Sequence, residues 1–194
     1  MATMGIIRVF CATTEGQTRR IAAQIAATIR QQGFESEVCT LTPSMPPIDW
    51  VGVRGVIVGA SIHVGRHQRV ALDFVRREAA HLNARPSAFF SVSLSAASRN
   101  PAEVDAARGL ATRFVRDAGW EPRRVACIAG KLAYTQYGVV IPQVMRFIAW
   151  REGAPTDTSR DYEFTDWAAV RQFALDFASD AAGTAAVAEF RPAV

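Results

Sequence analysis

Short apolar runs alternate with amphipathic stretches along this 194-residue chain, and that alternation leaves few folds open. Residues 6–11 read as a strand and 17–32 as a helix, with Ile21, Ile25 and Ile29 on one face and Gly33 ending it. Residues 34–41 alternate like a second strand, after which Pro43, Pro46 and Pro47 enforce an irregular connection. Val53 to Ala60 is apolar on both faces, as a buried parallel strand should be. Residues 68–82 form a helix, Ser87 to Leu94 a fourth strand, 102–118 a helix and Val125 to Gly130 a fifth strand. A last helix runs from Asp166, a good N-cap, through Ser179. Strands alternating with helices mean a parallel sheet covered on both faces, and this number of units suits an open, doubly wound α/β sheet better than an eight-unit barrel. The pattern predicts a single domain over 1–180, interrupted by an insertion at about 131–161 and followed by a flexible alanine-rich tail, 181–194.

In sheets of this kind a ligand sits beyond the C-terminal ends of the strands, which selects the loops 13–18, 60–67 and 93–100. The first is Thr13-Thr14-Glu15-Gly16-Gln17-Thr18. Unpaired amides at a helix start favour an anion, the hydroxyls add neutral donors, and Gly16 permits close backbone approach. Taken alone, the same residues also suit an ordinary capped helix start. The loop has neither the lysine of a triphosphate-binding P-loop nor the G-x-G-x-x-G of dinucleotide folds. Ala60, Ser61, Ile62, His63, Val64 and Gly65 form the second loop, whose small residues let a flat ring lie close to the backbone. Ser93, Leu94, Ser95 and Ala96 in the third again offer amides and hydroxyls without charge. Two such loops beside a monophosphate site describe a pocket for a phosphorylated planar heterocycle.

Other chemistries find little support. A net charge of +4 is mild and dispersed, without the basic run of a nucleic-acid arm. Cys11, Cys39 and Cys127 form no C-x-x-C pair and read as buried thiols of a reducing cytoplasm. His63 and His67 are four apart, but no Cys or carboxylate completes a metal set, so no metal is expected. His63 stands either beside the bound ring or facing solvent. No Ser-His-Asp arrangement or paired carboxylates emerge. The acidic cluster of a phosphoacceptor receiver domain is replaced by Cys11-Ala12-Thr13 and Gly59-Ala60-Ser61. No run reaches the length of a membrane span. Within the insertion, residues 137–151 combine Val144, Met145, Phe147, Ile148 and Trp150 with Arg146 and Arg151 at the margin. Such a helix packs on its own domain or on a twin subunit in a homo-oligomer, or else serves as an apolar lip for a greasy substrate or a shallow membrane contact.

The order of elements and the loop 13–18 resemble flavodoxins, and within them the quinone-dependent protoporphyrinogen oxidases of bacteria. The residues that carry the likeness are Thr14-Glu15-Gly16-Gln17-Thr18, Val58-Gly59-Ala60-Ser61-Ile62, Pro86-Ser87-Ala88-Phe89-Phe90-Ser91-Val92, Ile128-Ala129-Gly130, Thr156-Asp157-Thr158 and Phe164-Thr165-Asp166-Trp167. The resemblance implies a flavodoxin-like five-stranded parallel sheet of order 2-1-3-4-5 with a long insertion near the fifth strand. It implies FMN, held by 13–18 at its phosphate and by 60–65 and 93–96 around its ring. It further implies a porphyrinogen substrate, a membrane quinone as electron acceptor, and a cytoplasmic protein touching the inner face of the membrane through 137–151. An electron carrier or an FMN-dependent quinone reductase would use the same cofactor loops, although carriers are usually acidic and this chain is not.

Overall fold

On the first strand, β1 (Ile6–Ala12), Ile7, Val9 and Cys11 turn to one face of the sheet and Phe10 and Ala12 to the other, and all are buried. A strand apolar on both faces belongs in the middle of a sheet with helices on each side. The computed structural model, which describes residues 5–14, 16–132 and 161–189, has that arrangement. The strands β2 (Glu35–Thr40), β3 (Val53–His63), β4 (Arg66–His67), β5 (Ser87–Ser93) and β6 (Arg124–Ala129) join β1 in one sheet. Five are parallel, in the order β2-β1-β3-β5-β6, and the short β4 pairs antiparallel with the end of β3. Counting the parallel strands alone, this is the expected 2-1-3-4-5.

Helices α1 (Gln17–Gln31) and α4 (Trp167–Glu189) cover one face. Ile21, Ile25, Ile29, Val170, Ala174 and Phe177 pack there against Ile7, Val9, Ile57 and Phe90. Helices α2 (Arg69–Asn83) and α3 (Pro101–Asp117) cover the other, with Phe74, Val75, Leu82, Ala111 and Phe114 on Phe10, Val56, Val58 and Phe89. Gly59 in the middle of β3 has no Cβ because the Phe90 ring of the neighbouring strand occupies that space.

The helix α4 starts where expected, with Asp166 Oδ1 accepting the N–H groups of Ala168 and Ala169. It continues well past Ser179, because the alanine-rich sequence favours helix and Ala178 and Ala181 are buried in the core. Residues 190–194 lie outside the described residues. Of the insertion the structure describes the two ends. Strands β7 (Lys131–Leu132) and β8 (Tyr162–Glu163) pair antiparallel and close its stem, and Lys131 Nζ meets Asp161 Oδ2 at 2.7 Å. The apolar stretch 137–151 is outside the described residues.

Candidate functional site

Parallel register brings the three loops to one edge. Ala12 pairs with Ala60, Ala60 with Ser91 and Ser61 with Val92, so β1, β3 and β5 finish almost level. Thr13, Ser61 and Ser93 therefore stand at one edge, where the parallel pairing of these strands ends although β3 itself runs on to His63.

The first loop is built to leave a helix start open. Thr13 Oγ1 accepts the Gly16 N–H at 2.9 Å, which folds the loop back on itself. Gly16, at φ 84°, takes the left-handed turn that glycine makes without strain. The helix α1 then begins with no side-chain cap and no acidic residue in its first turn. Its first amides keep their positive end of the helix dipole for an anion. A Cβ at Gly16 would meet nothing within 4 Å among the described residues, so it is the left-handed φ and not crowding that calls for glycine there. Thr18 lies in the first turn and is buried. Glu15 is outside the described residues.

The Gln17 side chain is turned to the chain that returns from the insertion beside the end of β6. It is buried, and its Nε2 donates to Thr165 Oγ1 at 2.9 Å and Glu163 Oε1 at 3.1 Å. Thr165 Oγ1 in turn donates to the Ala129 carbonyl at 2.8 Å, and Arg20 Nη1 meets Glu163 Oε2 at 2.7 Å. Burial pushes the Glu163 carboxyl up, but the hydrogen bonds from Gln17 and Arg20 outweigh it and hold it below its ordinary value. These contacts fasten the start of α1 to the chain that returns from the insertion. The Gln17 side chain is thus engaged within the protein, which leaves its backbone amide as the group it could offer a ligand.

The second segment is less open than the sequence suggests. The strand β3 runs on through His63, turns at Val64-Gly65 and returns as β4, with Ile62 opposite His67 and His63 opposite Arg66. Val64 at φ 47° and Gly65 at φ 71° are the two positive-φ positions that a tight hairpin of this hand requires. Glycine supplies one readily. A β-branched valine supplies the other at a cost, and its side chain is 94% exposed. Ala60 is fully buried with its side chain in the core, and contributes backbone alone. Ile62 and His63 are half-buried strand residues.

His67 does not join His63 as a ligand pair. Its Nε2 lies 2.8 Å from Ser91 Oγ, and its ring packs against Phe89 and Phe114. Burial pushes its pKa down to about 4, so the imidazole is neutral and pegs the hairpin to β5. Among the described residues no group of three His, Cys, Asp or Glu gathers as metal ligands.

In the third segment Ser93 Oγ accepts the Ala96 N–H at 3.2 Å, and Ser95–Ala97 form a single 3-10 turn. Asn100 then caps α3 by accepting the Ala102 N–H. Leu94 stays 36% exposed. Val64 and Leu94 are two of the few large apolar side chains the described residues leave in solvent, and both stand on this edge. Exposed Arg66 and Arg99 flank them, and among the described residues no carboxylate pairs with either.

Two residues of the site escaped the sequence pattern. Gln68 Nε2 donates to Thr14 Oγ1 at 2.6 Å and to Ser61 Oγ at 3.1 Å, tying the first loop to the second. The available signal was a long glutamine at a helix N-cap, where a short Ser, Thr, Asp or Asn is favoured. Thr165 is the other, marked only as part of the run 164–167 that carries the resemblance and not as a neighbour of the first loop.

A doubly wound sheet in this order, with an uncapped helix after β1 and loops free of carboxylates after β3 and β5, defines a flavodoxin-type protein. Residues 8–159 match the family described as Flavodoxin domain. The chain is 34% identical over 167 residues to the protoporphyrinogen IX dehydrogenase [quinone] of Escherichia coli K12, a match covering 86% of this chain and 91% of that one. It is 36% identical over 171 residues to the protein of the same name from Leishmania major, covering 86% and 72%. Its fold is similar to that of oxidised flavodoxin 1 from Bacillus cereus, with a TM-score of 0.55 at 18% identity over 90% of this chain and 97% of the flavodoxin. The chain belongs to the flavodoxin-domain family and, within it, to the group of the quinone-dependent protoporphyrinogen IX dehydrogenases.

Proposed function

We propose that this chain binds FMN and oxidises protoporphyrinogen IX to protoporphyrin IX, passing the electrons to a quinone. The observation that carries the proposal is the edge itself, where an uncapped helix start lies beside two exposed apolar tips in a chain related to dehydrogenases of that name. The donor set fits a flavin phosphate. The first amides of α1 and the hydroxyls of Thr13, Thr14 and Thr18 can hold a dianion, and no carboxylate among the described residues of the first turn repels it. The backbone of Ser61 to Gly65 and of Ser93 to Ala96 would border the ring. Bound FMN supplies the redox chemistry, taking hydride equivalents from substrate carbon and returning electrons to quinone.

The protein's part is to place and shield. Val64 and Leu94 offer an apolar cover for a macrocycle beside the ring, and Arg66 and Arg99 are placed to attract its propionates. The complete oxidation removes six electrons and six protons, which three two-electron quinone reductions consume. A lipid-soluble quinone would be met at the cytoplasmic face of a membrane, and the apolar stretch 137–151 is the part of the sequence suited to touch it.

The test is anaerobic. Purified chain should carry flavin absorption, and it should generate porphyrin fluorescence from protoporphyrinogen IX when a quinone is added. Flavin-loaded protein that gives no more signal than heat-killed protein would remove the dehydrogenase assignment and leave a flavoprotein of another activity.

A further inference from the structure

We propose that Gln68 is a positioning residue that fixes the direction of two hydroxyl protons at the cofactor site, an inference that rests on FMN being the ligand. Gln68 occupies the N-cap position of α2 without capping it. Its Nε2 instead donates to Thr14 Oγ1 at 2.6 Å and to Ser61 Oγ at 3.1 Å, joining loops 54 and 7 residues away in sequence. Both amide hydrogens are thereby engaged.

A hydroxyl has one proton to donate and two lone pairs with which to accept. The amide fills an accepting position on each oxygen, so each O–H is left to donate elsewhere. Among the described residues neither hydroxyl has another partner. Thr14 sits in the loop before the uncapped start of α1, and Ser61 sits at the adjoining end of β3. A flavin presents acceptors to such a place, phosphate oxygens on the side of Thr14 and ring oxygens and nitrogens on the side of Ser61. Gln68 therefore sets the hydroxyls as donors before the ligand arrives, which removes a reorganisation cost from binding. A plain staple between the loops would not need this polarity. A carboxylate at position 68 could still bridge the two oxygens, but it would accept their O–H groups and turn their lone pairs toward the ligand's acceptors.

That contrast separates the two roles. The full chain, freed of flavin, is titrated with FMN by flavin fluorescence quenching, with the FMN-induced rise in melting temperature as a second readout. Wild type, Gln68→Ala and Gln68→Glu are compared, each also in a Thr14→Val/Ser61→Ala background. Losing one oriented donor set should weaken FMN binding about tenfold in Gln68→Ala, and reversing it should weaken binding about a hundredfold in Gln68→Glu. In the hydroxyl-free background the gap between the Glu and Ala variants should close to within about threefold. Gln68→Glu binding as tightly as Gln68→Ala would overturn the proposal in favour of a staple. A gap that persists undiminished without the hydroxyls would overturn it in favour of bare charge repulsion. Wild-type chain that binds no FMN defeats the functional assignment itself, whereas tight wild-type binding with indifferent variants defeats the role of Gln68 alone.

Discussion

Acid should destabilise this protein through His67, and the amount follows from where the ring sits. The imidazole bonds to Ser91 and packs on Phe89 and Phe114, and burial lowers its pKa from 6.5 to about 4. The unfolded chain takes up a proton near 6.5 that the folded chain refuses until about 4. The stability gained by burying a neutral ring is complete above pH 6.5, is lost progressively as the pH falls toward 4, and changes no further below that. Linkage across the window gives a loss of about 2 kcal/mol between about pH 7.5 and about pH 5, and about 3 kcal/mol in the acid limit. The assay is urea unfolding of the full chain at both pH values, beside a His67→Asn variant that cannot titrate there. The variant will be weaker at both, having lost ring packing, but only the change with pH is compared, so the other titrating groups cancel. Wild type should lose about 2 kcal/mol more than the variant on acidification. Equal losses would refute the claim that the ring is held neutral by burial.

Two further outcomes concern the central strand and the hairpin. Gly59→Ala should destabilise by about 2–3 kcal/mol in denaturant unfolding, because the new methyl would run into the Phe90 ring between two covered faces of the sheet. Val64→Gly should do the opposite, raising stability by about 1 kcal/mol, since a positive φ is relieved and a side chain 94% exposed gives up almost no packing. The same change should raise the KM for protoporphyrinogen while leaving FMN affinity within about twofold, as expected if the valine is kept for the substrate.

The fold was legible where the information is local. Apolar runs marked four of the five parallel strands and alternation marked β2; Ile21, Ile25 and Ile29 marked the buried face of α1, and Asp166 marked the start of α4. What failed to show depends on distance or on a disfavoured conformation. The hairpin after Ser61 needs a positive φ at Val64, which a β-branched residue resists, so the stretch reads as an open loop. Gln17 sits in a loop that looks wholly directed at a ligand. Its side chain instead finds Glu163 and Thr165, 146 and 148 residues on, and only the folded sheet brings them together. Gln68 escaped for the same reason, since its partners belong to two different loops.

Those long-range contacts divide the edge into a fixed part and an exposed part. Gln17, Thr165 and Glu163 pin the start of α1, and His67 pins the returning hairpin to Ser91. Each holds backbone that would border the proposed cofactor, so the geometry offered to a phosphate and a ring would be settled before binding. Among the described residues Val64 and Leu94 are held by no comparable contact, and stability alone gives no reason for a strained, solvent-facing valine. A glycine or asparagine would make the same turn more cheaply. The valine is therefore best explained by what arrives from outside, and under the proposed function the residues that would anchor the cofactor are distinct from those that would meet the substrate. Cofactor affinity and substrate choice should then vary independently along this edge, the first with residues 13–18 and Gln68, the second with Val64, Leu94, Arg66 and Arg99.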